Sequence, residues 1–312
     1  MKESSLDSVK KILIIQFKPF GDVLLNTGYL PLLHKRFPKA EICFLVASPF
    51  HKVLANNPYL SKLIVFRNIK KKGLNYLLER IKLFIRLRSE KFDLVIDQMR
   101  GTGSAQIAFF TGAKYRLGLA DCKFSFFYNI KAVQQANTYS ASMKFDLLKP
   151  LGITKPDNYS LYFHITNESH QYIDNWFKDN GMSEDKIVCL SPGSPVLKKK
   201  WKAELYADLA DMIIEKTSLK VALLWAPNEY QDVQEVKSFM KNDPIIAPPT
   251  DFNQAGAFLQ RCAILICNDG GLNHLSVAVG IKSLAIFGNT NPENWSPDFA
   301  GHSYVYNASH DS

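Results

Sequence analysis

The sequence predicts an α/β protein built from two doubly wound domains, and three observations carry that expectation. The chain has 312 residues, more than one hydrophobic core usually organises, so two domains of roughly 150 residues each are expected. Short β-branched runs alternate with helical patterns in βαβα order, once in each half, and that alternation builds parallel sheets covered by helices. A segment rich in turn formers (Pro150, Gly152, Pro156, Asp157, Asn158) separates the two series. The expected domains are 1–162 and 163–312.

The first element, Lys11-Ile12-Leu13-Ile14-Ile15-Gln16-Phe17, is a continuous apolar run suited to a strand buried on both faces. The loop Lys18-Pro19-Phe20-Gly21-Asp22 comes next, then a helical pattern through Leu33. Further strands are expected at 41–46, 62–66, 92–97 and 115–118. In the second half the expected strands are 187–191, 220–225, 245–247, 263–267 and 282–287. Helices are expected there at 202–215, 254–261 and 274–279, with loops at 192–200 and 269–271.

Composition excludes several classes. Hydrophobic residues make up 46% and charged residues 21%, ordinary for a folded globular protein and unlike collagen, a low-complexity tract or a disulfide miniprotein. The five cysteines form no Cys-x-x-Cys pair, and Cys43 and Cys267 sit inside apolar runs; they read as small buried residues in a reducing compartment. Met1 to Lys10 is polar and runs straight into the first strand, unlike a signal peptide. No apolar run approaches the ~20 residues that span a bilayer. The expectation is a cytoplasmic protein.

The formal charge is +9, unevenly spread. Arg67 to Lys91 holds nine basic residues against Glu79 and Glu90, interleaved with Leu74, Leu77, Leu78, Ile81, Phe84, Ile85 and Leu87. One reading is a docked helix with a solvated basic face. The other is a helix facing anionic lipid headgroups or a phosphorylated glycan. No recognition-helix, zinc-finger or aromatic RNA-binding signature accompanies the charge, so nucleic acid is not expected.

Three loops, each just past a strand, carry candidate chemistry. In the first, Asp22 is either the cap of the next helix or a general base at a binding edge. The second, Ser191-Pro192-Gly193-Ser194 through Lys198-Lys199-Lys200-Trp201, offers backbone N–H groups, the Ser194 hydroxyl and a lysine cluster, which suit a diphosphate as well as a solvated basic turn. The third is Asn268-Asp269-Gly270-Gly271-Leu272-Asn273-His274. Its glycines allow close backbone approach, the helix beyond them presents its positive end, and His274 is a hydrogen-bonding group or a buried structural histidine. Lys18 and Arg116 are weaker candidates for an acceptor or phosphate contact, Arg116 being equally a surface salt-bridge partner. Gly101-x-Gly103 lacks the third glycine of a dinucleotide fingerprint. No Asp-x-Asp, Walker loop, Gly-x-Ser-x-Gly or His-Glu-x-x-His is present, and no metal site is expected.

Taken in order, a first strand with Gly-Asp-x-Leu, a mid-chain Pro-Gly-Ser loop with Lys-x-Trp, a late Asp-x-Gly-x-x-His and the run Phe287-Gly288-Asn289-Thr290-Asn291-Pro292 resemble glycosyltransferase family 9, the ADP-heptose:lipopolysaccharide heptosyltransferases. The resemblance runs from about Lys11 to Pro297. It implies a GT-B fold of two Rossmann-like domains facing across a cleft, acceptor on the N-terminal domain and nucleotide sugar on the C-terminal one. It implies an inverting transfer without metal or cofactor, with ADP-heptose as donor and an acidic, lipid-linked glycan as acceptor, at the inner membrane face. Asp22 falls on the family's catalytic base, Lys199 on the donor-phosphate lysine with Ser194 beside it, and Asp269, Gly271 and His274 on the donor loop. Gly270 stands where relatives often carry Ser or Thr. The three consecutive lysines leave room for a shift of one position. The chain ends at Ser312, where relatives usually continue into a helix that packs back toward the first domain; such a member is expected to close less firmly. Two rival readings are a nucleotide-sugar 2-epimerase and a non-catalytic sugar-nucleotide-binding module.

Overall fold

The computed structural model describes residues 6–66, 74–135, 137–182, 186–288 and 290–306. They form two compact units, Met1–Leu161 and Tyr162–Ser312.

In the N-terminal unit, strand β1 (Lys11–Gln16) leads into α1 (Phe20–Leu25) and α2 (Leu30–Arg36). Then come β2 (Glu41–Ala47), β3 (Lys62–Phe66), α3 (Leu74–Ser89), β4 (Leu94–Asp97), α4 (Thr102–Phe110), β5 (Tyr115–Leu119), β6 (Ile130–Ala132) and α5 (Ser140–Leu148). The six strands are ordered β3-β2-β1-β4-β5-β6, every neighbouring pair parallel. β1 is central because Ile12 to Ile15 are inaccessible to solvent on both faces; each such side chain contributes about 1.5–3 kcal/mol by leaving water. Leu13, Ile15, Leu45, Val95, Ala105 and Ile107 close the core beneath α3 and α4.

The C-terminal unit repeats the plan. Its elements are α6 (Asn167–Asp179), β7 (Ile187–Ser191), α7 (Ala203–Lys216), β8 (Lys220–Leu223), α8 (Tyr230–Phe239), β9 (Ile245–Ile246), α9 (Phe252–Gln260), β10 (Ile264–Asn268), α10 (Gly271–Val279), β11 (Lys282–Phe287), α11 (Pro292–Trp295) and β12 (His302–Tyr306). The strand order is β12-β11-β10-β7-β8-β9, again all parallel. Local signals set the helix ends: Asp251 accepts from the N–H groups of Asn253 and Gln254 while Gln254 reaches back to the Asp251 N–H, a capping box that starts α9. Gly280, at φ 79°, ends α10 in the left-handed conformation that costs glycine little.

Several expectations need correction. The segment Phe20, Gly21 and Asp22, expected as loop, is already the first turn of α1, with Pro19 at the N-cap; proline's fixed φ favours that entry. Gly271 likewise opens α10 rather than closing a loop. Gly270 is extended, at φ −175°, and a Cβ there meets only the Asn268 carbonyl at 3.7 Å, so neither backbone nor space demands glycine.

Among the described residues of the basic stretch, the apolar side chains do not form one buried face. Leu87 is buried and Phe84 packs on the core, whereas Leu77, Leu78, Ile81 and Ile85 are exposed. Residues 67–73, among them Arg67, Lys70, Lys71 and Lys72, lie outside the described residues, as does Asn289. All five cysteines are free thiols, with Cys43, Cys189, Cys262 and Cys267 buried. No helix among the described residues is long and apolar enough to cross a membrane.

Candidate active site

In an open parallel sheet, ligands settle beyond the carboxyl ends of the strands, where the strand order reverses. The N-terminal unit reverses between β1 and β4, the C-terminal unit between β7 and β10. Asp22 lies past β1, Ser194 and Lys199 past β7, and Asp269 past β10, so each candidate emerges at a reversal point.

The C-terminal cluster is built from three loops. Pairing of Cys267 with Ser191 brings the ends of β10 and β7 side by side. Asn268 ties together the two loops leaving these strand ends. Its Nδ2 donates to the Pro192 carbonyl at 2.7 Å, while its Oδ1 accepts from the Trp201 N–H at 2.9 Å and the Tyr206 hydroxyl at 3.2 Å. Next to it, Asp269 is 5% exposed. Its Oδ2 accepts from the Lys199 ammonium and from the Thr290 hydroxyl, both at 2.5 Å. Thr290 comes from the loop after β11, so two other segments converge on one carboxylate oxygen of the loop after β10.

The three lysines are not equivalent. Lys199 faces this cluster, whereas Lys200 is held by both carboxylate oxygens of Asp232 on α8, at 2.7 Å each. Ser194 is buried, its Oγ accepting from the Val196 N–H at 3.2 Å to fix the turn. Gly270 caps α10 without any side-chain hydrogen bond, leaving the helix's positive end beside Asp269. His274 is buried in the early part of α10, its ring 6.2 Å from that of Trp295.

Sequence reasoning names Asn268 and Thr290 within their segments without giving either a role, and does not single out Glu229. A polar residue ending the buried run Ile-Leu-Ile-Cys-Asn is a usable signal for Asn268, because a buried amide needs partners. Glu229 carried no such signal. Its carboxylate fills the space above Gly193, where a Cβ would lie 2.3 Å from Oε2. Burial pushes its carboxyl up from the usual range. A groove against Trp176, Met182, Ile214, Leu219 and Ile245 reaches the start of β8 and contains none of these groups.

In the N-terminal unit, Asp22 lies in the first turn of α1, makes no capping hydrogen bond, and keeps 18% of its side chain exposed. The Lys18 ammonium is 3.7 Å away and half exposed. The cap reading of Asp22 is therefore set aside, leaving a carboxylate beside a cation at the reversal point. Arg116 is placed otherwise than expected. Its guanidinium donates to the carbonyls of Phe127 at 2.9 Å and Ala113 at 2.7 Å and lies over the Phe109 ring, a structural tie rather than a free contact for sugar or phosphate. At the end of β4, Asp97 is inaccessible and accepts from the Tyr128 hydroxyl at 2.7 Å and the Met99 N–H at 2.9 Å. Burial pushes its carboxyl up to about 7 against those two bonds.

Two Rossmann-like units with polar clusters at their reversal points define an α/β protein of GT-B type. The family model for glycosyltransferase family 9 (heptosyltransferase) matches residues 80–310; the chain belongs to this family and is a glycosyltransferase. Lipopolysaccharide heptosyltransferase 3 of Escherichia coli K12 is 23% identical over 295 residues, covering 89% of this chain and 82% of that protein. The crystal structure of a family 9 glycosyltransferase from Veillonella parvula superposes with a TM-score of 0.84 at 26% identity, over 97% of this chain and 87% of that one. The structure of E. coli ADP-heptose lipopolysaccharide heptosyltransferase II gives 0.74 at 20% identity, over 94% and 92%.

Proposed function

We propose that this enzyme moves a heptose from ADP-heptose onto a lipopolysaccharide core or a related acidic, lipid-linked glycan, with inversion at the anomeric carbon and without a metal. The observation that supports this most is the convergence of Lys199, Thr290 and the start of α10 on Asp269 at the reversal point of the C-terminal sheet. A departing diphosphate needs positive charge as its bond breaks. Lys199 supplies a charge-assisted donor and the α10 N-terminus a fixed field, the electrostatic task a divalent ion performs in other transferases. Ser194, the Gly270 and Gly271 backbone and His274 are further donors on the same edge. The relatives' names point to heptose and lipopolysaccharide.

On the N-terminal unit, Asp22 takes the proton of the attacking acceptor hydroxyl, a contribution of about 10²–10⁴-fold. Attack comes from the face opposite the leaving nucleotide. The work is proposed to occur at the cytoplasmic membrane face, with the exposed leucines and isoleucines of α3 and the neighbouring arginines against anionic lipid.

The test is transfer from ADP-heptose to heptose-deficient lipopolysaccharide in excess EDTA, with wild type and Asp22→Asn run together. Wild type is expected to turn over despite the chelator. Asp22→Asn is expected to lose about 10² or more of that rate while keeping its Tm and its affinity for ADP. Loss of wild-type activity to EDTA, restored by Mg²⁺ or Mn²⁺, would overturn the metal-free mechanism. Near-normal turnover by Asp22→Asn would remove Asp22 as the base.

A further inference from the structure

The first turn of α10 is open at its end. Gly270 gives it no side-chain cap, and the Asn273 N–H turns back to the Gly270 carbonyl at 3.2 Å. A helix end that receives an anion cannot also be filled by a capping side chain, because the cap's oxygen takes the same N–H groups. Such a turn has to be fixed from behind.

Asn273, the third residue of α10, supplies that fixing. It is 1% exposed, and its Oδ1 accepts from the Ser283 hydroxyl at 2.8 Å. Its Nδ2 is buried and has no partner among the described residues, so the bond to Ser283 anchors the side chain alone. Ser283 is equally buried in β11, and its Oγ is also 2.8 Å from Nδ1 of His302, the first residue of β12. Ser283 and His302 are register partners in the two strands. The Ser283 N–H donates to the Gly301 carbonyl and the His302 N–H to the Phe299 carbonyl, each at 3.2 Å. The Phe299 ring stands edge to face with the imidazole, their centres 6.5 Å apart.

The Ser283 hydroxyl has one hydrogen. Given to the Asn273 oxygen, it leaves the Ser283 oxygen to accept, so His302 carries a proton on Nδ1. Donors then run from His302 through Ser283 to Asn273, from the edge strand of the sheet to the helix end beside Asp269. Away from water, such chained bonds strengthen one another.

We propose that Ser283 and His302 are positioning residues for the diphosphate: through Asn273 they set the place of the first turn of α10 and the aim of its N–H groups. The proposal rests on the reading of that helix end as part of the donor site. Both residues act through Asn273 rather than on the donor.

The test titrates ADP and inorganic pyrophosphate by calorimetry into wild type and four variants, well below each Tm. Ser283→Ala is expected to raise both Kd values by about tenfold, the scale of one buried hydrogen bond lost. His302→Leu is expected to raise them by about threefold, within the same range. His302→Asn, whose Nδ2 can stand where Nδ1 stood, is expected to recover most of that loss. Asp211→Asn is the control for lost stability. Asp211 on α7 accepts from the Lys241 and Asn242 N–H groups at 2.8 and 2.9 Å, and its variant is expected to lower Tm with both Kd values unchanged. In transfer assays, Ser283→Ala is expected to raise the donor KM and leave the acceptor KM as it was.

A lowered Tm with unchanged Kd values in Ser283→Ala would make these bonds merely structural and overturn the proposal. His302→Leu decides in its place should Ser283→Ala not fold, since His302 opens an edge strand and is partly exposed. Nitrogen NMR of labelled histidine gives a second readout, with the His302 ring identified by its loss in His302→Asn. That ring is expected to carry its proton on Nδ1; a neutral ring protonated on Nε2 alone would reverse the chain of donors and overturn it. If wild type binds pyrophosphate but not ADP, the donor proposed above fails and the pyrophosphate series alone decides the positioning role. If it binds neither, both proposals fall.

Discussion

Asp22 and Lys199 stand out in the sequence because each lies on a polar segment past a buried apolar run, and the order of those segments resembles a family. The residues that organise them do not. Asn268 looks like the tail of an apolar run and Thr290 like part of a loop. Their roles depend on what another segment brings within about 3 Å, and a single sequence does not show such meetings. Lys199 pairs with Asp269 whereas Lys200 pairs with Asp232, and that difference sets up a test of which lysine meets the donor. Lys199→Ala is expected to lower kcat/KM by at least about tenfold, or 1.4 kcal/mol, and to weaken ADP binding. Lys200→Ala breaks the pair with Asp232 and is expected to loosen α8 while leaving ADP affinity close to wild type. Measured side by side by calorimetry and initial rates, the opposite pattern would move the donor contact one residue along.

At the scale of elements, buried strands were the most visible because their apolar runs are continuous; β11 was expected at the limits it has. Helix starts were less visible. Pro19 and Gly270 both occupy cap positions without capping through a side chain, so the usual Ser/Asp signal was missing or misplaced. The end of β4 gives a prediction. In the native protein Asp97 titrates at about 7 rather than at its ordinary 3.8. Between those values the native state holds a proton that the unfolded chain has released, so stability falls as pH rises through that window. Above it, a charged carboxylate is buried at a net cost. Asp97→Asn keeps an acceptor for the Met99 N–H and can still pair with Tyr128, without that liability. The Tm of Asp97→Asn minus that of wild type is expected to grow from about pH 5 to about pH 8. A difference that is flat across this range would show that Asp97 is ionised throughout.

At the scale of the molecule, the two-domain α/β architecture came from length and alternation, which are global properties and survive errors in single elements. The charge run was ambiguous because periodicity alone does not say which side of a helix meets the core. In the structure, Leu77, Leu78, Ile81 and Ile85 of α3 are exposed together with Phe109 and Phe110 of α4 and Phe126, and Arg80 lies over the rings of Tyr76 and Phe84. Apolar side chains rimmed by cations suit a bilayer surface of negative charge. The protein is expected to cosediment with vesicles containing acidic headgroups, less so as salt rises, and not with neutral ones. Replacing Ile81 and Ile85 by Gln should weaken that binding, as should Arg80→Gln with Arg86→Gln. Equal binding to neutral vesicles, or none to acidic ones, would leave this face as ordinary surface.

Each sheet takes all its strands from one continuous half of the chain, and none is lent across the boundary at Leu161. During synthesis, the N-terminal sheet therefore has its last strand and its closing helix before β7 has been translated. Ribosomes add about 5–20 residues per second, so for several seconds the nascent chain has one complete unit to fold and no second unit to compete with it. The strands are all parallel and join only through crossovers, which makes each sheet slow to assemble from local contacts. Emerging one sheet at a time keeps twelve similar apolar strands from choosing partners at once.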